Sequence, residues 1–338
     1  MVLTRRAHRD ISRRLPNEII TEIAQAAPRS DQLPLCRVSK LFHALTLPAL
    51  YRDVRIETEA SDLAFRSAVM SNNALAELVR SYTLISFLSR ATPLLVDSLT
   101  ALTRLEDLRI LAFSMTYAHS EELLDCTFPH LTKCRLFLST QKLNLLVSFL
   151  LRHPRLKILG IQDIDDMGFW PPTARVPLLN LTQLWCPVRL VPSIITHNLQ
   201  RARLVWNDRE VEPSAVEKTS VALKSMASSD TLFVCSNDSC DPNFPEIVDS
   251  ISRNMPYTTT LLLGLWDFPS SNEITGQLAH CLPRFRCLEF LCLHVDDVGD
   301  TFWNNEEDQT VVHSMGDAFP TLQALRLHQR TWRKVDQT

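Results

Sequence analysis

The sequence predicts an α/β chain in two parts: a short head of three helices, then a longer and irregular solenoid whose repeated strands build a parallel sheet. Three observations carry this. A cadence of the form L-x-x-L-x-L recurs along residues 105–186, and the last residues of its four copies lie 26, 25 and 25 apart. Between positions 15 and 51 the apolar residues recur instead at steps of three to four, the period of a helix with one buried face. Only six glycines occur in 338 residues, against 53 leucines. An array of strands and helices needs few left-handed backbone positions, so scarce glycine suits it.

Residues 1–11 form a basic, flexible arm with Arg5, Arg6 and Arg9, continued by Arg13 and Arg14. The first helix is expected to carry Leu15, Ile19, Ile20 and Ile23, with Pro16 in its first turn, where a missing N–H costs little, and to end near Pro28. Asp31 is expected to cap a second helix with Pro34 in its first turn and a stripe of Leu35, Val38, Leu41, Phe42 and Leu45. A third short helix should start near Pro48 and carry Leu50 and Tyr51. Ile20, Leu41, Phe42, Leu45 and Leu50 are the expected core of this head. Three helices in so short a segment bury little, so the unit should lean on a partner or on the domain that follows.

The repeat runs from Leu105 to Ile110, Leu131 to Leu136, Leu156 to Ile161 and Leu181 to Cys186. Looser copies follow at Leu199–Leu204, Leu232–Val234, Leu261–Leu265, Leu288–Leu293 and Leu322–Leu327, and Val54–Ile56 and Tyr82–Leu84 begin the series. Helical spacing returns between the strands at Leu63–Val79 and Gln141–Leu151, while Phe128-Pro129, His153-Pro154 and Phe319-Pro320 mark turns ahead of three strands. On such strands Cys134 and Cys186 are expected to face inward as small hydrophobes and Cys292 to face outward.

The runs Leu15-Pro16-Asn17-Glu18-Ile19-Ile20, Leu35 to His43, and Leu47-Pro48-Ala49-Leu50-Tyr51-Arg52-Asp53-Val54-Arg55-Ile56 stand in order over about 40 residues. Together they resemble an F-box, particularly the divergent fungal kind. The resemblance implies that residues 12–56 bind a Skp-type adaptor and, through it, a cullin-based ubiquitin ligase. Leu15, Pro16, Ile19, Ile23, Leu33, Leu35 and Val38 would present the apolar docking surface. The first sixty residues hold ten Lys+Arg against seven Asp+Glu, a balance that suits an acidic partner. The 25-residue cadence of residues 57–338 is similar to the leucine-rich repeat, in which each unit gives one strand and a returning segment. The family's turn asparagine is matched only by Asn207 and Asn237, so most turns must be satisfied in another way.

Composition narrows the chemistry. The glycines never cluster as phosphate-cradling loops require, which argues against the common nucleotide enzymes. Nine cysteines without paired spacing, no signal-peptide pattern and no apolar run of 18 residues point to a cytoplasmic or nuclear protein that meets no membrane. On that expectation Asn180-Leu-Thr182 and Asn237-Asp-Ser239 are chance glycosylation matches. His280, Cys281, Cys287, Cys292 and His294, with Cys235 and Cys240, lack the close pairs of a zinc site, so no metal or other cofactor is expected. No G-x-S-x-G elbow occurs, and the acid pairs Asp165-Asp166 and Asp296-Asp297 suit solvated loops better than a general acid and base. The chain is therefore expected to bind and not to catalyse.

Residues alternating with the inward leucines should line one sheet face: Asp107, Arg109, Lys133, Arg135, Gln183, Trp185, Arg203, Val205, His294, Arg326 and His328. Arg109, Arg135, Trp185, Arg203 and Arg326 are the candidates there for gripping a target protein, with Trp170 and Trp303 on aromatic loops. The acidic stretch Asp296–Asp308 argues against nucleic acid as partner. The expected function is that of a non-catalytic substrate receptor in a Skp-cullin-F-box type ubiquitin ligase. The alternative is a leucine-rich interaction scaffold whose F-box-like start serves only as an N-terminal cap.

Overall fold

The computed structural model describes residues 16–85, 94–111, 117–138, 143–163, 175–206, 213–227, 233–238, 244–265, 271–295, 305–327 and 330–334. The chain divides into two compact units. One comprises Met1–Ser114 with Cys126–Leu131, the other Met115–Asp125 with Thr132–Thr338. It is a mixed α/β protein whose strands pair almost entirely in parallel.

The first unit opens with three helices, α1 (Asn17–Ala26), α2 (Arg29–Cys36) and α3 (Lys40–Arg52). Pro16 and Pro28 hold the N-cap positions of α1 and α2 in extended backbone, so each proline starts a helix without wasting a donor. Two expectations are corrected. The second helix starts at Arg29, two residues before Asp31, and ends at Cys36. The expected third helix near Pro48 does not start there: a single helix begins after Ser39, whose Oγ accepts the Phe42 N–H at 3.2 Å, and Pro48 lies inside it. The cap at Ser39 thus sets the start of the helix, which runs on through Pro48 despite the missing donor there. Ile20 and Ala24 are fully buried, whereas Leu41, Phe42, Leu45 and Leu50 are only half-buried. The buried Gln32 amide donates to the carbonyls of Ala24 at 3.1 Å and Ala27 at 3.2 Å, fastening α2 to the end of α1.

The chain then alternates: β1 (Asp53–Ile56), α4 (Glu59–Ser71), α5 (Asn73–Ala76), β2 (Ser81–Leu84), α6 (Leu94–Thr100) and β3 (Asp107–Ile110). A reciprocal Thr58–Ser61 capping box starts α4. The three strands run parallel with Val54, Tyr82 and Leu108 in one row and Ile56, Leu84 and Ile110 in the next, all buried. Inside α4, Asp62 and Arg66 form a buried ion pair one turn apart.

The second unit continues with α7 (Tyr117–Asp125), β4 (Lys133–Leu138), α8 (Leu143–Arg152), β5 (Ile158–Asp163), β6 (Val176–Pro177), β7 (Gln183–Pro187), β8 (Ile194–Ile195) and β9 (Arg201–Val205). After these come α9 (Pro213–Met226), β10 (Phe233–Asp238), α10 (Phe244–Asn254), β11 (Thr258–Leu265), α11 (Ser271–Cys281), β12 (Phe290–Val295), α12 (Asn305–Ala318), β13 (Ala324–Leu327) and β14 (Arg330–Arg333). Its sheet runs β4-β5-β7-β9-β10-β11-β12-β13-β14, with β6 and β8 paired apart from it. Every step in the sheet is parallel except the last, where β14 turns back antiparallel. Between β7 and β9 the return includes a 3₁₀ segment, Val188–Ser193, with Pro192 inside it.

The leucine cadence translates directly into burial. Cys134, Leu136, Leu159, Ile161, Leu184, Cys186, Leu204, Leu261, Leu263, Leu291, Leu293, Leu325 and Leu327 all lie on the inward parity of their strands and are buried. The leucine that opens a copy closes a turn: the N–H of Leu105, Leu131, Leu156, Leu181 and Leu322 donates to the carbonyl three residues back, at 2.9–3.2 Å. Backbone hydrogen bonds thus close the turns that lead into these strands; Asn237, one of the two expected turn asparagines, lies within β10, and Asn207 lies outside the described residues.

Candidate binding surfaces

The head separates its apolar residues onto two faces. Ile20 and Ala24 point into the helical core, while Ile19 (40% exposed) and Ile23 (45%), one turn apart on α1, stay in solvent. Leu33 and Val38 are likewise exposed, at 50% and 43%, Pro16 is exposed, and Leu35 is half-buried. Leu15 lies outside the described residues. These four exposed residues are a large share of the ten large apolar side chains left in solvent among the described residues, on a segment of only 37 residues from Pro16 to Arg52. Isolated exposed apolar residues carry little meaning, whereas contiguous apolar patches are characteristic of interaction surfaces.

The outward face of the sheet has a defined register. In the second unit Arg135, Gly160, Trp185, Arg203, Ser236, Leu262, Cys292, Arg326 and Thr331 pair successively in one row across all nine strands. Lys133, Ile158, Gln183 and Arg201 pair in the row before it. The structure thus brings four of the expected target-binding residues, Arg135, Trp185, Arg203 and Arg326, onto a single line. The Arg203 guanidinium lies 4.5 Å from the centroid of the Trp185 ring, a cation–π contact. Gly160 has a local reason: a Cβ there would stand 3.0 Å from Cγ of Arg135, so its absence lets the arginine stem lie along the sheet. Cys292 faces outward as expected but is buried, and burial pushes its thiol up against the opposing pull of Arg326.

In the first unit, Arg109 pairs with Thr83 and Thr83 with Arg55 on the corresponding face. Arg109 is already matched: its Nε and Nη2 donate to the two carboxylate oxygens of Asp107 at 3.1 and 2.8 Å, which raises its own pKa. As a free grip for a target it is therefore weakened, a point that strand alternation alone could not reveal. Trp170, Trp303 and His328, with the acid pairs Asp165-Asp166 and Asp296-Asp297, lie outside the described residues.

A third feature was not foreseen. The helices α9, α10 and α11 border a cleft of about 560 Å³ lined by Val216, Glu217, Asp249, Arg253, His280 and Cys281, among others. Glu217 accepts from Ser250 Oγ at 2.7 Å and Asn254 Nδ2 at 3.1 Å and lies 3.3 Å from Arg253, contacts that lower its pKa. Asp249 accepts from Arg253 Nε at 3.1 Å and Arg284 Nη1 at 2.5 Å. The Cys281 thiol is pushed up, by burial first and by Asp249 second, which leaves it a poor nucleophile. Every acid–base pair here closes on itself, so the cleft is an ion-pair seam between successive helices. The spacing of Asp249 and Arg253 was a visible signal for its helical part; the partners from α9 and residue 284 were not.

Among the described residues no three His, Cys, Asp or Glu side chains are grouped to hold a metal ion, and no helix is long and apolar enough to cross a membrane. Cys36, Cys126, Cys134, Cys186, Cys281, Cys287 and Cys292 form no disulfide. Comparison with known proteins matches this chain to no family model and to no curated protein.

Proposed function

We propose that the chain is a non-catalytic substrate receptor of a Skp-cullin-F-box type ubiquitin ligase: an F-box-like head docks the adaptor, and a leucine-rich-repeat-like solenoid receives a target protein. The observation that carries this is the double-sided head. Ile20 and Ala24 are buried in its core, while Ile19, Ile23, Leu33 and Val38 are left in water, where each costs hydration free energy that a partner would remove. The succession of parallel strands in chain order, interrupted only where β6 and β8 pair apart, and the backbone turn that opens five of the copies support the solenoid half of the reading. In this role the ligase partners perform the chemistry, and the chain supplies proximity and orientation.

One contact favours the scaffold alternative. Arg29 Nη1 on α2 donates to the Asp53 carbonyl of β1 at 2.5 Å, so the head is tied to the first strand of the sheet as an end cap would be. Reconstitution separates the two. The full chain mixed with a Skp-type adaptor and its cullin should co-elute as a ternary complex, and Pro16→Glu with Ile19→Asp should abolish it while leaving the fold intact. A folded, monodisperse chain that stays apart from the adaptor would leave the head as a cap alone.

A further inference from the structure

We infer that the sheet face formed by β4, β5, β7 and β9 is a docking surface for an extended, carboxylate-rich segment of the target protein; this rests on the receptor reading above and gives its target a chemistry. The outward rows of these four strands hold Lys133, Arg135, Arg201 and Arg203 and no Asp or Glu, in a chain whose formal net charge is −3. The first acid in these rows is Asp238 on the next strand, in register with Val205. Lys133, Arg201 and Arg203 are exposed and Arg135 is half-buried.

Their arrangement selects the ligand. Lys133 and Arg135 stand on β4, Arg201 and Arg203 on β9, three strand spacings away, so the four cations mark the corners of a rectangle of about 14 by 7 Å. Cations spread over that distance match several carboxylates along an extended chain better than one phosphate, whose charge sits on a single group. Inside the rectangle the surface is low and mostly apolar: Ile158, the bare backbone of Gly160 and the face of Trp185, with the half-buried Gln183 as its one polar side chain. That floor accepts an apolar side chain between the acids. Stacking on Trp185 orients the Arg203 guanidinium, which reduces the entropy lost when its donors meet a carboxylate. Beyond β9 the same row becomes Ser236, Leu262 and Cys292, so the cationic field ends on this side where a nucleic-acid track would need it to continue.

The test uses the purified full chain without adaptor and a fluorescein-labelled peptide of sequence Glu-Asp-Glu-Leu-Glu-Asp-Glu, read by fluorescence anisotropy. Three comparison probes are the same peptide with Gln and Asn for the acids, a peptide with one phosphoserine among neutral residues, and single-stranded oligo(dT). The acidic peptide should bind best, weaken as salt rises, and lose about tenfold or more in affinity in R135E with R203E, the loss typical of truncating or reversing hot-spot arginines. Gly160→Leu should weaken it by raising the floor and pushing the Arg135 stem aside, with no charge removed. Equal binding of the neutral peptide, stronger binding of the phosphoserine peptide or of oligo(dT), or unchanged affinity in the folded double variant would each overturn the assignment. Adaptor binding by R135E with R203E should match the wild type, so loss of the adaptor interaction alone would sink the ligase reading and leave this surface standing.

Discussion

Helices α1 and α10 are of similar length and both amphipathic, yet they use their apolar residues in opposite ways. In α10 Phe244, Ile247, Val248 and Ile251 are all buried, and its polar face carries the Arg253–Asp249 pair. In α1 the isoleucines are divided, Ile20 within and Ile19 and Ile23 without. One helix is finished by its own unit; the other has an apolar stripe wider than its core can cover. The difference teaches that Ile19 and Ile23 take no part in the head's own core, and this is the ground on which a partner is proposed for them.

The sharpest way to break this comparison is to place a charge on each helix. Ile247→Asp buries an unpaired carboxylate in α10 and should unfold the second unit, visible as lost helical circular dichroism. Ile23→Asp should leave the spectrum unchanged. Next in size, Arg66→Ala strands Asp62 in the interior and should lower stability by about 3–5 kcal/mol in denaturant unfolding. Leu159→Ala should cost about 3 kcal/mol, since it opens a cavity beneath β5, whereas Ile19→Ala should change stability by less than about 0.5 kcal/mol.

The smallest effect concerns pH. Glu217's folded pKa is depressed below its ordinary 4.5 by Ser250, Asn254 and Arg253, so its stabilisation is present above that value and is lost as pH falls through the depressed one. Glu217→Gln should flatten that acid limb of the stability profile slightly. A steeper limb in the variant would show that the seam between α9 and α10 is held by other groups.

The parts that were legible in the sequence are those where burial follows chain order. Inward leucines repeat because the strands of the sheet follow one another in chain order, and alternation then placed Arg135, Trp185 and Arg203 on one face without a structure. The head's helix boundaries were less legible because Pro48 looked like a helix start, while Ser39 was the effective cap. The seam at Glu217, Asp249 and Arg284 was not legible because its partners, Glu217 with Ser250 and Asp249 with Arg284, lie 33 and 35 residues apart in sequence and meet only when successive helices pack. Asp107, by contrast, lies only two residues from Arg109 on the same face, where alternation makes them neighbours but does not show that the carboxylate takes both guanidinium donors.

The double-sided head is tested most directly by calorimetric titration of a purified Skp-type adaptor into three forms of the full chain. The forms are the wild type, Ile19→Asp with Ile23→Asp, and Leu63→Asp with Met70→Asp, the last pair being exposed apolar residues on α4 outside the head. Binding by the wild type and the α4 variant with equal affinity, and none by the α1 variant, is the predicted result. Unaltered binding by the α1 variant, or no binding by a folded wild type, would contradict the account.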